Sequence, residues 1–142
     1  MAFYVIALEQ AFPKACFVLT VRHNSNEWYG SLTRFHAKLF GSSGAPPTYE
    51  QMLERKRENG NNLWYNMSAK FDISKEFPYE KSTLIRYYEM HNHMVKEYFR
   101  FKSNLLVLNV AEADAYKTFC TFLNVHPIHG EFPWENRTDA CC

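Results

Sequence analysis

Two nearly continuous apolar runs, Cys16-Phe17-Val18-Leu19-Thr20-Val21 and Leu105-Leu106-Val107-Leu108-Asn109-Val110, constrain this chain more than anything else in it. Both are rich in β-branched and large aliphatic side chains, and neither alternates with polar residues. A strand with water on one face alternates; a run without alternation marks a strand buried on both faces, the pattern of a parallel sheet covered by helices. The intervening sequence is helical in period. Phe3 to Phe12 carries apolar residues at helical spacing and stops at Pro13. Asn24, with Glu27 three residues on, offers a capping box for a helix reaching about Phe40, with Trp28, Leu32, Phe35 and Leu39 along one face. Gly41 to Pro47 reads as a loop, and Gly41-Ser42-Ser43-Gly44 follows a helix and not a strand. Tyr49 to Asn59 suggests an exposed helix, broken at Gly60-Asn61-Asn62, and residues 48–78 are the least legible. A long helix runs from about Ser82 to Lys102, with Leu84, Tyr88, His91, Val95 and Tyr98 as its inner stripe. Ala113 to Leu123 reads as a last helix with Tyr116, Phe119, Phe122 and Leu123 inward, and Phe132-Pro133-Trp134 as an apolar anchor in the tail.

This order predicts an α/β fold, a parallel sheet flanked by helices. Two strands are too few for such a sheet, since sheets of about four to six are usual. The expectation is an incomplete sheet within a single, partial domain spanning residues 1–142. Its remainder would come from a missing amino-terminal half or from a partner, a second copy included.

Charge narrows the function. With 16 basic and 15 acidic side chains the net charge is +1, which argues against a general electrostatic grip on nucleic acid or on an anionic membrane. No stretch approaches the ~18 apolar residues of a spanning helix. Met1 to Phe12 is too short for a signal peptide and is interrupted by Glu9 and Gln10, so a soluble, cytoplasmic protein is expected. Cys16 and Cys120 lie in apolar runs and read as small buried hydrophobes, while Cys141 and Cys142 end the chain as a bare pair. None of the four has the spacing of a zinc site. The triplets Asn66-Met67-Ser68 and Asn136-Arg137-Thr138 have the glycosylation pattern but occur commonly by chance.

Ligands of open parallel sheets bind beyond the carboxyl ends of the strands. Arg22 stands at such an end, and the helix that follows offers free N–H groups to an anion. A guanidinium grips phosphate oxygens bidentately, and Ser31, further along that helix, can donate its hydroxyl to the same group. On spacing alone, an Arg22–carboxylate pair and a solvent-facing Ser31 remain the competing reading.

Phe17-Val18-Leu19-Thr20-Val21-Arg22 followed by Glu27-Trp28-Tyr29-Gly30-Ser31-Leu32 resembles the strand–turn–helix of sulfotransferases that use 3′-phosphoadenosine 5′-phosphosulfate (PAPS). The likeness continues in Tyr88-Glu89-Met90-His91-Asn92, in Leu105 to Val110 with Tyr116, Phe119 and Phe122-Leu123, and in Phe132-Pro133-Trp134-Glu135-Asn136-Arg137-Thr138. It covers most of residues 11–138. The resemblance implies a P-loop NTPase-like three-layer sandwich, PAPS or its product PAP as the bound nucleotide, and an acceptor hydroxyl or amine. It places the donor's 3′-phosphate on Arg22 and Ser31, with Arg137 as a further tail contact. Arg22 and Ser31 are nine residues apart, one more than in the commonest family members.

The family binds the 5′-phosphosulfate in a Gly-rich loop between a strand and a helix, with a basic residue to help the leaving group. No Gly-rich strand–loop–helix occurs in these 142 residues. The resemblance therefore implies a chain that holds the 3′-phosphate half of the donor site. A non-catalytic nucleotide-binding module that has lost the reactive loop is the alternative, and an interaction protein without ligand a third. Among other polar residues, His91 reads as a satisfied core histidine, and Asn92 flanks its stripe. His91 and His93 point to different helix faces, and His126 and His129 lie in the tail without ligand partners.

Overall fold

A computed structural model describes residues 2–54 and 62–133. The chain divides into two compact units, Met1–Asn24 with Glu89–Asn136, and Ser25–Tyr88 with Arg137–Cys142. The fold is α/β, with a small parallel sheet and helices.

The first unit is built on that sheet. Strands β1 (Phe17–Thr20) and β2 (Leu105–Leu108) pair in parallel, with Phe17 opposite Leu105 and Thr20 opposite Leu108. Side chains at alternate positions share a face, so Phe17, Leu19 and Leu105 stand together. They pack with Val5 of helix α1 (Ala2–Ala11) and with Val95, Tyr98 and Phe99, which lie on or just beyond helix α5 (Lys81–Tyr98). Leu106 and Leu108 point to the other face, where Leu108 is buried and helix α6 (Ala115–Phe122) contacts β2. The tail returns onto α6: Phe132 packs against Tyr116 and Phe119, with ring centroids 5.2 and 5.5 Å apart. This is the aromatic anchor expected there; Trp134 lies outside the described residues.

The strands are not buried on both faces. Val18 is 38% and Val107 39% exposed, and Thr20 is exposed too. Each strand has only one neighbour among the described residues, so apolar side chains that a wider sheet and its helices would cover remain in water. Cys16, just before β1, is exposed and is no buried hydrophobe, whereas Cys120 is buried as expected. Glu9 does not end α1. It is buried and accepts hydrogen bonds from Tyr98 Oη at 2.9 Å and from Lys102 Nζ at 2.7 Å. These bonds hold its carboxyl below the usual carboxylate range, with the Lys102 ammonium as the largest cause.

The second unit centres on Met52, Leu63, Met67 and Leu84, none more than 5% exposed. They come from α3 (Tyr49–Glu54), α4 (Leu63–Ser68) and α5, and Trp28, Tyr29, Leu32 and Phe40 of α2 (Ser25–Phe40) pack against them. Two expectations change here. The inner stripe of α2 runs through Trp28, Leu32, His36 and Phe40; His36 is buried and Leu39 is 47% exposed. The segment from Tyr49 is helical over its described part, Tyr49–Glu54, but it is not exposed throughout: Glu50, Leu53 and Glu54 are exposed while Met52 is fully buried. Asn62 stands outside both helices in extended backbone, as a break there requires, and it also opens α4, its side chain accepting from Tyr65 N–H at 2.8 Å. Residues 55–61, which include most of the expected break, lie outside the described residues.

Candidate functional site

The ladder between the strands extends one residue past β1, where Val21 N–H donates to Leu108 O at 2.9 Å. Arg22 is therefore the first residue beyond the hydrogen-bonded end of the strand, at its carboxyl terminus, and it is half-buried. This is the position at which open parallel sheets present ligand-binding groups.

Helix α2 begins at Ser25, directly after Asn24, as the capping pattern predicts. Glu27 lies in its first turn. A carboxylate there already takes up the favourable interaction with the helix N-terminus. Ser31 is half-buried in α2. At about 100° per residue it stands roughly 200° round the helix from Tyr29. It thus lies far round the helix from Tyr29, His36 and Phe40, but about 60° from Trp28 and about 100° from Leu32, which also pack on the core of the second unit. Arg22 belongs to the first unit and Ser31 to the second. Arg137 lies outside the described residues, as do Cys141 and Cys142.

The glycine cluster after α2 is a turn closed on itself. Ser42 and Ala45 form an antiparallel bridge, with Ala45 N–H donating to Ser42 O at 3.1 Å. Ser43 and Gly44, with φ of 55° and 77°, make the two-residue corner. Gly41 is required by close approach: a Cβ there would stand 1.9 Å from Ala45 O. This is a plain loop, as read from the sequence, and its backbone geometry serves the bridge.

His91 departs from the expectation of a satisfied core histidine. It is half-buried on α5, and its Nδ1 is a buried atom without a hydrogen-bond partner. Burial holds its pKa below the ordinary histidine value, so it is neutral near pH 7. Asn92 beside it is half-buried and His93 is exposed. His129 packs near the Tyr116 ring, at 6.1 Å between centroids. Among the described residues no group of three or more His, Cys, Asp or Glu is placed to hold a metal ion, and no helix is long and apolar enough to cross a membrane.

A polar cluster that the sequence reading missed lies within the second unit. Tyr29 Oη donates to Tyr79 O at 2.9 Å, and Tyr79 Oη lies 2.7 Å from His36 Nδ1. The His36 and Tyr79 rings meet edge-on at 90°. Burial raises the Tyr79 phenol well above its ordinary pKa, keeping it protonated. Lys81 Nζ sits 5.7 Å from the centre of the Tyr29 ring. The available signal was His36 itself, four residues after Leu32 and four before Phe40.

Comparison with curated proteins and with solved structures gave no match. A family model described as a sulfotransferase domain matches residues 1–141, nearly the whole chain and every element of both units. It agrees with the resemblance carried by the first strand, the following helix, the long helix and the second strand: the chain belongs to the sulfotransferase domain family.

Proposed function

We propose that this chain supplies the 3′-phosphate half of a PAPS-binding site in an enzyme that transfers a sulfuryl group to an acceptor hydroxyl or amine. The observation that carries the reading is the place of Arg22, half-buried and first beyond the ladder at the carboxyl end of β1. The residues fit the group: a guanidinium and a hydroxyl are the donors a phosphate dianion needs. PAPS supplies the activated sulfuryl group. The chain's own residues hold the donor by its non-reacting end, and that binding energy goes into orienting the reactive end. Arg137 would add a third contact from the tail. The strand and Gly-rich loop that hold the 5′-phosphosulfate come, in this reading, from a further part of a P-loop NTPase-like sandwich. The exposed Val18 and Val107 support an incomplete sheet.

The lack of a Gly-rich strand–loop–helix in these 142 residues favours one second reading, a nucleotide-binding module without catalysis. The two share the binding test and differ in turnover. Calorimetric titration with 3′-phosphoadenosine 5′-phosphate is expected to saturate for the wild type. Removing one partner of a charge pair to phosphate costs about 2–5 kcal/mol, so Arg22→Ala is expected to weaken binding by at least roughly 30-fold. Adenosine 5′-monophosphate, lacking the 3′-phosphate, should lose a similar amount and show no further loss in Arg22→Ala. Equal affinity of wild type and a folded Arg22→Ala for the bisphosphate would refute the site. Sulfuryl transfer by the chain joined to a loop-bearing strand would separate the enzyme from the binding module.

A further inference from the structure

Tyr79 touches helix α2 at two places. Its carbonyl oxygen accepts from Tyr29 Oη at 2.9 Å, and its own hydroxyl meets His36 Nδ1 at 2.7 Å. Tyr29 and His36 are seven residues apart, about 10.5 Å along the axis and within roughly 20° of one line on the helix surface. Ser31 lies between them in sequence and on the opposite side. A helix held at one point can still roll about its axis by rearranging side chains. Held at two points on one line, it has its roll and its axial position fixed together. What is fixed on one face is then fixed on the other.

The residue that does the holding is itself anchored. Pro78 before it is buried. Glu80 after it caps α5, accepting from Ser82 N–H at 2.9 Å and Ser82 Oγ at 2.8 Å, and from Thr83 N–H. The Tyr79 ring packs against the core of Met52, Leu63, Met67 and Leu84. The clamp residue is thus anchored through both of its chain neighbours.

We propose that Tyr79 is a positioning residue for Ser31: by clamping α2 at Tyr29 and His36 it sets the direction in which the Ser31 hydroxyl is presented. This rests on the donor-site reading above. In that reading the hydroxyl must meet a phosphate oxygen within a hydrogen bond's narrow tolerance, and a small roll of α2 moves it off that point.

The test is a pair of double-mutant cycles on the full chain, read as affinity for 3′-phosphoadenosine 5′-phosphate with thermal melts alongside. Tyr79→Phe keeps the ring and the carbonyl acceptor and removes only the contact to His36. It is expected to weaken binding by about five-fold, the order of one hydrogen bond, as is Ser31→Ala. Combined, the two should be no worse than Ser31→Ala alone, because a misdirected hydroxyl that is absent cannot be lost twice. Tyr79→Phe with Arg22→Ala should instead multiply. Should Tyr79→Phe melt below the assay temperature, His36→Gln replaces it in both cycles, breaking the same contact from the other side. Unchanged affinity in the clamp variant, or losses that multiply with Ser31→Ala, would overturn the positioning role while leaving the donor site standing. Absence of wild-type binding, or indifference to both Ser31→Ala and Arg22→Ala, would remove the donor-site reading itself.

Discussion

Leu84→Ala is the most direct probe of the packing described here. Leu84 is fully buried at the centre of the second unit, among Met52, Leu63 and Met67. The substitution removes three carbons, a transfer loss of roughly 2.4 kcal/mol at about 0.8 per methylene. The neighbours are held by α3, α4 and α5 and relax only in part, so a cavity term adds to it, giving about 3–5 kcal/mol in all. For a chain of 142 residues this corresponds to a fall in Tm of roughly 10–15 °C. The comparison variant is Leu39→Ala, the same chemistry at a residue 47% exposed, which should cost no more than about 1 kcal/mol. Circular dichroism melts and guanidinium titrations of both variants measure the difference. If Leu39→Ala is as damaging as Leu84→Ala, the inward face of α2 has been assigned wrongly. If Leu84→Ala costs under about 1 kcal/mol, the core is not centred where the structure places it.

Two pH effects follow from the same structure. The hydrogen bonds that cap α5 bring Glu80 down from the ordinary 4.5 to about 2. A carboxylate with a depressed folded pKa contributes stability above its unfolded pKa, and that contribution is lost as pH falls from about 4.5 towards 2. Acid melts of Glu80→Ala should lack this part of the wild-type slope, and parallel slopes would count against the cap. Tyr79 behaves in the opposite sense: its folded pKa is raised by burial, so its stabilising contribution is complete below the ordinary tyrosine range and declines as pH climbs above it. Absorbance near 295 nm should show one tyrosine that ionises only as the chain unfolds, and Tyr79→Phe should abolish that late phase; simple titration of every tyrosine near pH ~10 would refute its burial.

The parts of this fold that were legible from sequence are those whose signal is local. The runs at Phe17–Thr20 and Leu105–Leu108 are strands, paired in parallel, because β-branched and aliphatic side chains without polar interruption leave little choice. Their burial was misjudged because it depends on what stands beside them, and the sequence of a strand says nothing of its neighbours. Helix α2 shows the same limit more finely. A period near 3.6 fits Trp28, Leu32, Phe35 and Leu39 as well as Trp28, Leu32, His36 and Phe40, and hydrophobicity favours Leu39 over His36. The choice is made by Tyr79, 43 residues away, whose hydroxyl satisfies His36 Nδ1 so that burial leaves no orphaned group there. Glu9 is a second instance. In the sequence it interrupts an apolar stretch; in the fold Lys102, 93 residues on, makes its burial tolerable. Asn62 adds a role that the break reading does not include, since a residue in a break can also cap the next helix.

The candidate site divides along the same line. The place of Arg22 after β1 was legible because it depends on local pattern alone: an apolar run, then an abrupt basic residue. Its position is set by the β1–β2 ladder, whose last bond is Val21 N–H to Leu108 O. Ser31 follows from its place on the next helix and from the resemblance, whereas the clamp proposed to orient it depends on Tyr79 and has no local signal in the sequence. The two proposed phosphate donors are therefore held by separate means, one by backbone pairing and one by a side-chain clamp. A lesion in the ladder should degrade the Arg22 contribution and spare that of Ser31, and a lesion at Tyr79 should do the reverse. In the proposed arrangement one donor can lose its aim without the other. For that reason the coupling between variants, more than the size of any single loss, reveals how the site is built.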